Sequence, residues 1–95
     1  MTAYIVFMRD ETVDPVELDA YSAKVAASFE GHDVTFLADY GPFETLEGDD
    51  IEGAVILRFP DMDAARAWYG SLAYQTTAQH RFKGARYRSF IVEGL

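Results

Sequence analysis

The chain contains no cysteine, which excludes a disulfide framework and any thiolate metal site. No apolar run approaches the ~20 residues that a membrane-crossing helix needs. The start, Met1-Thr2-Ala3-Tyr4, lacks the basic stretch of a signal peptide, so the cytoplasm is the expected location. Basic residues are scarce: 8 Lys and Arg stand against 16 Asp and Glu, a formal charge of −8. That balance repels phosphate, and neither nucleic acid nor a membrane is an expected partner. Gly-x-Gly-x-x-Gly, Walker and Gly-x-Ser-x-Gly motifs are missing. The two histidines, His32 and His80, do not form a His-x-x-x-His pair. The acidic run Glu44, Glu47, Asp49, Asp50 and Glu52 lacks calcium-loop spacing. No cofactor and no metal are therefore expected. With no internal repeat or linker, residues 1–95 read as a single domain.

What is present is apolar and aromatic. Hydrophobic residues make up 49% and aromatics 15%, too rich for a disordered chain. Tyr4–Met8 is an unbroken apolar strand candidate, ended by Arg9-Asp10-Glu11. Asp14 as N-cap, Pro15 at the first helical position and Glu17 closing a capping box open a helix. Leu18, Tyr21, Val25 and Phe29 form its apolar stripe, and Gly31 suits a left-handed stop. Val34–Asp39 and Gly53–Phe59 read as strands, with a short additional strand at Phe43–Leu46. Phe59-Pro60-Asp61 then joins a strand end to a second, split helix. Ala65, Trp68, Tyr69 and Leu72 share one face of its first half. Gly70-Ser71 breaks it, and Tyr74, Ala78 and Phe82 form the inner face of the rest. Tyr87–Val92 is the last strand.

The order is β-α-β-β-β-α-β, or β-α-β-β-α-β if the short third strand belongs to a long hairpin. This is the split β-α-β pattern of an α+β, ferredoxin-like sandwich: an antiparallel sheet with two helical regions on one face. Tyr4–Met8 and Ala54–Leu57 are apolar on both faces, although two helices can cover only one. Burying a few hundred Å² of sheet at ~25 cal/mol per Å² is worth several kcal/mol. A second copy of the chain is the simplest cover, so a homodimer is expected.

The chain resembles domain-of-unknown-function family 1330 of the dimeric α+β barrel superfamily. The residues that carry the resemblance are Ala3-Tyr4-Ile5-Val6, Asp14-Pro15 with Tyr21, Leu46-Glu47-Gly48, Phe59-Pro60-Asp61, Ala64-Ala65-Arg66-Ala67-Trp68-Tyr69, Ser71-Leu72-Ala73-Tyr74-Gln75, Arg81 and Val92-Glu93-Gly94. The resemblance implies a ferredoxin-like subunit paired through its sheet, and it brings no catalytic residues with it. Relatives in the wider superfamily include cofactor-free monooxygenases, isomerases and cyclases.

Two function classes stay open at this point. One is a small dimeric, cofactor-independent enzyme of proton-transfer, isomerase or monooxygenase type, acting on a small organic metabolite. The other is a non-catalytic dimeric ligand-binding or accessory protein. For the enzyme, Glu47 and His80 are the candidate acid–base residues, since desolvation can raise a carboxyl and histidine titrates near neutrality. Tyr21, Arg58, Trp68, Tyr69, Tyr74 and Arg81 are the candidate substrate-binding residues, the arginines for an anionic group and the aromatics for shape. A cavity is expected between helices and sheet, near Tyr21, Arg58, Trp68 and Tyr74.

Overall fold

The computed structural model describes residues 1–95. Strand β1 (Ala3–Thr12) leads into helix α1 (Pro15–Lys24) and a 3₁₀ turn (Val25–Phe29). Strands β2 (Thr35–Asp39) and β3 (Gly53–Phe59) follow, then helices α2 (Met62–Tyr69) and α3 (Leu72–Gly84), and strand β4 (Ala85–Glu93). The sheet has the order β2-β3-β1-β4, and every neighbouring pair is antiparallel. This is the ferredoxin-like arrangement.

Local chemistry sets the helix starts. The side chain of Asp14 accepts from the Val16 N–H, that of Asp61 from Ala64, and that of Ser71 from Tyr74. Each satisfies a donor that the first helical turn leaves free. The backbone N–H of Asp14 is already bonded to the Gly84 carbonyl. Glu17 therefore does not close a capping box, and its carboxylate turns to His80 instead.

Strand alternation divides the sheet into two unlike faces. Ala3, Ile5, Phe7, Val55, Leu57 and Phe59 point at the helices and are buried. Fully buried Trp68 anchors this side, stacked on Phe29 at 4.7 Å and tilted against Tyr74 at 4.1 Å. Its indole N–H donates to the Ser28 hydroxyl at 3.2 Å. The alternate residues Tyr4, Val6, Met8, Ala54 and Ile56 face the other way and remain partly exposed.

Several expectations are corrected. Phe43–Leu46 forms no strand, and Phe43 and Leu46 are exposed. β3 is already paired on both edges, by β1 and β2, so a further strand has no ladder to join there. Arg9-Asp10-Glu11 continues β1 rather than ending it: a register shift between Arg9 and Glu11 absorbs the irregularity, and β4 pairs onward to Thr12. Leu72 is exposed, because Ser71 starts a new helix and turns that position outward. Phe82 is also exposed, and Thr77 and Arg81 join Tyr74 and Ala78 on the buried side of α3.

Candidate functional site

A cavity of about 90 Å³ lies between the inner sheet face and the first helical region. Its apolar walls are Phe7, Val25, Phe29, Phe36, Val55, Leu57 and Trp68. Tyr21, Asp39, Tyr40, Arg81 and Tyr87 complete the lining. An outer cleft of about 200 Å³ adjoins it, lined by Arg9, Leu18 and Ser22 together with Tyr21, Val25, Asp39, Tyr40 and Tyr87.

Arg81 is the unusual member. It is only 4% exposed, and it takes part in none of the ion pairs of the chain. Its Nε donates to the Tyr74 hydroxyl at 3.2 Å. Its guanidinium carbon lies 5.1 Å from the ring centre of Phe7 and 4.9 Å from those of Phe82 and Tyr87. A buried charge normally finds an opposite charge; here three ring faces and a hydroxyl take that place. Burial works against the charge of Arg81, but the surrounding tyrosines Tyr74, Tyr21 and Tyr69 together outweigh it and the pKa moves up. The group stays a cation.

The tyrosines form two hydrogen-bonded pairs. Tyr21 and Tyr74 share a bond of 3.0 Å, and Tyr40 and Tyr87 one of 2.5 Å. Burial pushes the Tyr21, Tyr40 and Tyr74 hydroxyls above their usual range, and for Tyr21 and Tyr40 the neighbouring tyrosine adds to the rise. At neutral pH all three are protonated, and Tyr21 and Tyr40 are the two that line the cavity.

Tyr40 is held unusually. Its φ is +54°, the left-handed region that bulky residues avoid. A Cβ on Gly53 would lie 2.6 Å from the Tyr40 ring, so glycine is what lets the ring lie there. Gly53 sits opposite Arg9, and Arg9 opposite Tyr87 on the far side. The ring thus reaches from β3 across β1 to a hydroxyl on β4, with the Arg9 guanidinium 5.0 Å from its centre. Nε of Arg9 lies 3.2 Å from Glu52, at an angle that leaves this N–H without a hydrogen-bond acceptor.

A family model described as a domain of unknown function, DUF1330, matches residues 2–95. The chain belongs to the DUF1330 family. No curated protein matches its sequence. A protein of unknown function from Rhodopseudomonas palustris is similar in structure, with a TM-score of 0.76 at 17% identity, covering 99% of this chain and 82% of the other. The cofactor-independent oxygenase SnoaB from Streptomyces nogalater has a TM-score of 0.62 at 15% identity, covering 99% and 93%. A dimeric ferredoxin-like protein of unknown function from Thermobifida fusca has a TM-score of 0.65 at 14% identity, covering 97% and 90%. At such identities these likenesses concern the fold.

The structure brings some of the expected site residues of this DUF1330 chain together and separates others. Tyr21, Trp68 and Arg81 line the cavity, and Tyr74 is fully buried, bonded to both Tyr21 and Arg81. Tyr69 lies 5.4 Å from the Tyr74 ring and lines a separate open groove that also touches Arg81. Arg58 is not at the cavity. It alternates with Leu57 and Phe59, so it projects from the outer face and is exposed, among Thr2, Asp33 and Thr35.

Glu47 is exposed in the 40–52 loop, in a polar cleft with Asp10, Glu11, Arg86 and Arg88. His80 bridges the outsides of α1 and α3: Nδ1 lies 2.6 Å from Glu17 and Nε2 3.3 Å from Lys24. A neutral ring donating from Nδ1 to Glu17 and accepting from Lys24 at Nε2 satisfies both contacts. Asp39 is the cavity-lining carboxylate that sequence reading missed. It stands opposite Val55 across a β-bulge at Phe36/Ala38, and only that register turns it inward.

Proposed function

We propose that the protein is a homodimer in which each subunit binds a small aromatic anion, held at Arg81, and acts on it without a cofactor. The observation that carries this reading is the buried Arg81 cation, free of carboxylate partners, in the lining of an aromatic cavity. Apolar walls with a few convergent polar groups suit a small planar ligand. A ligand oxygen carrying negative charge would supply the counter-charge that Arg81 lacks, and the tyrosine hydroxyls would orient it. The fold also carries the cofactor-independent oxygenase SnoaB, which supports chemistry without a cofactor on this scaffold by analogy of fold alone.

Glu47 and His80 lie outside the cavity lining, and this favours a second reading, binding without acid–base turnover. Asp39, an exposed carboxylate in the cavity lining, would be the proton acceptor. Loss of turnover with retained binding in Asp39→Asn supports the enzyme; no turnover in any variant supports the binding protein.

The outer sheet face supports the dimer. Val6, Met8 and Ile56 there are covered by no element of the chain, and a ferredoxin-like neighbour is dimeric. Light scattering is expected to give about twice the mass of one chain, and Ile56→Asp to give the monomer. For the ligand, Trp68 is the sole tryptophan and lines the cavity, so its fluorescence reports occupancy. Benzoate should produce a saturable change that Arg81→Met abolishes. A flat response up to millimolar benzoate would overturn the aromatic-anion reading.

A further inference from the structure

We infer that Tyr40 sets the length of ligand the site accepts, restricting it to a single-ring aromatic anion. The inference rests on the reading that the cavity binds an aromatic anion. The inner cavity of about 90 Å³ is smaller than the roughly 150 Å³ of an apolar cavity that takes up benzene, so one aromatic ring uses all of it and any further ring must extend past its walls. The outer cleft is larger, about 200 Å³, and the two spaces share Tyr21, Val25, Asp39, Tyr40 and Tyr87 as common walls.

Three features fix the Tyr40 ring in that shared wall. Its backbone occupies the left-handed region at φ +54°, a conformation that persists only where the surroundings enforce it and that clusters at ligand sites. Its ring lies against Gly53, the position where a Cβ would come within 2.6 Å. Its hydroxyl is tied to Tyr87 at 2.5 Å. A residue shaped only for packing would not combine a strained backbone with an overall exposure of 42%. Tyr40 is thus a positioning wall: it touches the ligand's far end and decides where the space stops.

The test compares benzoate with 2-naphthoate in Trp68 fluorescence and calorimetric titrations of the intact protein. The wild type should prefer benzoate by about tenfold or more, the discrimination that apolar pocket size affords. Tyr40→Gly, which suits the positive φ, should reverse the preference. Gly53→Ala, which displaces the ring by a different route, should shift it the same way. Tyr40→Phe keeps the ring and should keep the wild-type preference. Benzoate binding with unchanged preference in both Tyr40→Gly and Gly53→Ala, each folded by circular dichroism, would overturn the role of Tyr40 and leave the aromatic-anion reading standing. Failure of the wild type to bind either compound would remove both.

Discussion

Arg81 and Arg88 lie close in sequence and in opposite electrostatic worlds. Arg88 is exposed on β4 and makes two hydrogen bonds to Asp10, at 2.8 and 2.9 Å. Arg86 beside it pairs with Glu11. Arg81, on the last turn of α3, is buried under aromatic rings with no carboxylate. Water already solvates the surface arginines, so their ion pairs add little. Inside, the same charge is desolvated, and what surrounds it determines whether the fold tolerates it. The lesson is that the paired, well-bonded cations are the less informative ones.

The largest expected effect comes from removing the buried cation. Arg81→Ala should cost about 3 kcal/mol in denaturant unfolding, through lost packing and lost ring contacts. Arg81→Met fills similar volume and should cost about 1 kcal/mol or less, yet benzoate binding should vanish. If Arg81→Met binds benzoate as the wild type does, the contrast between the two arginines has no functional content.

Next is the packing that holds Arg81 in place. Gly84 ends the same helix, and a Cβ there would sit 2.9 Å from both the backbone N and Cγ of Leu18. Because backbone cannot yield as a flexible side chain does, Gly84→Ala should destabilise by about 1–3 kcal/mol. A melting temperature equal to that of the wild type would show that α1 and α3 separate more freely than their contact suggests.

The buried side should also reveal itself in alkali. Tyr21, Tyr40 and Tyr74 have pKa values raised from 10.0, first of all by burial. The folded state therefore holds protons that the unfolded state releases. Stability is fully present below pH 10 and falls as pH rises toward the folded values. For fully buried Tyr74 the slope is about 1.4 kcal/mol per pH unit. Tyrosinate absorbance of these three should appear together with loss of helical circular dichroism, not before it.

The smallest effect belongs to the exposed pair. Arg88 and its hydrogen bonds hold the Asp10 carboxyl below its ordinary pKa of 3.8, so any stability it lends is present above that value and is lost as pH falls through the folded one. Arg88→Gln should leave the neutral-pH melting curve close to wild type and benzoate binding unchanged. A large shift in either would dissolve the distinction drawn between the two arginines.

The sequence by itself determined the helix starts and four of the strands, though it also suggested a strand at Phe43–Leu46 that does not form. Asp14, Asp61 and Ser71 cap helices through bonds to residues two or three positions on, and the left-handed Gly31 (φ +80°) follows the first helical region. Those interactions are local, so spacing and residue type reveal them. The two-sided apolar strands likewise announced an uncovered sheet face. Tertiary structure alone decided which residues line the candidate site. α3 carries no sharp apolar stripe, so only its packing on β1 and α1 could choose Arg81 over Phe82 for the interior. The pleat sent Arg58 outward, where a one-residue shift would have sent it in. The ring of Tyr40 found its place against Gly53, and Asp39 turned inward at a bulge, through contacts between strands far apart in the chain. A side chain's facing depends on register and on neighbours brought in by the fold, and neither is written in the residues beside it.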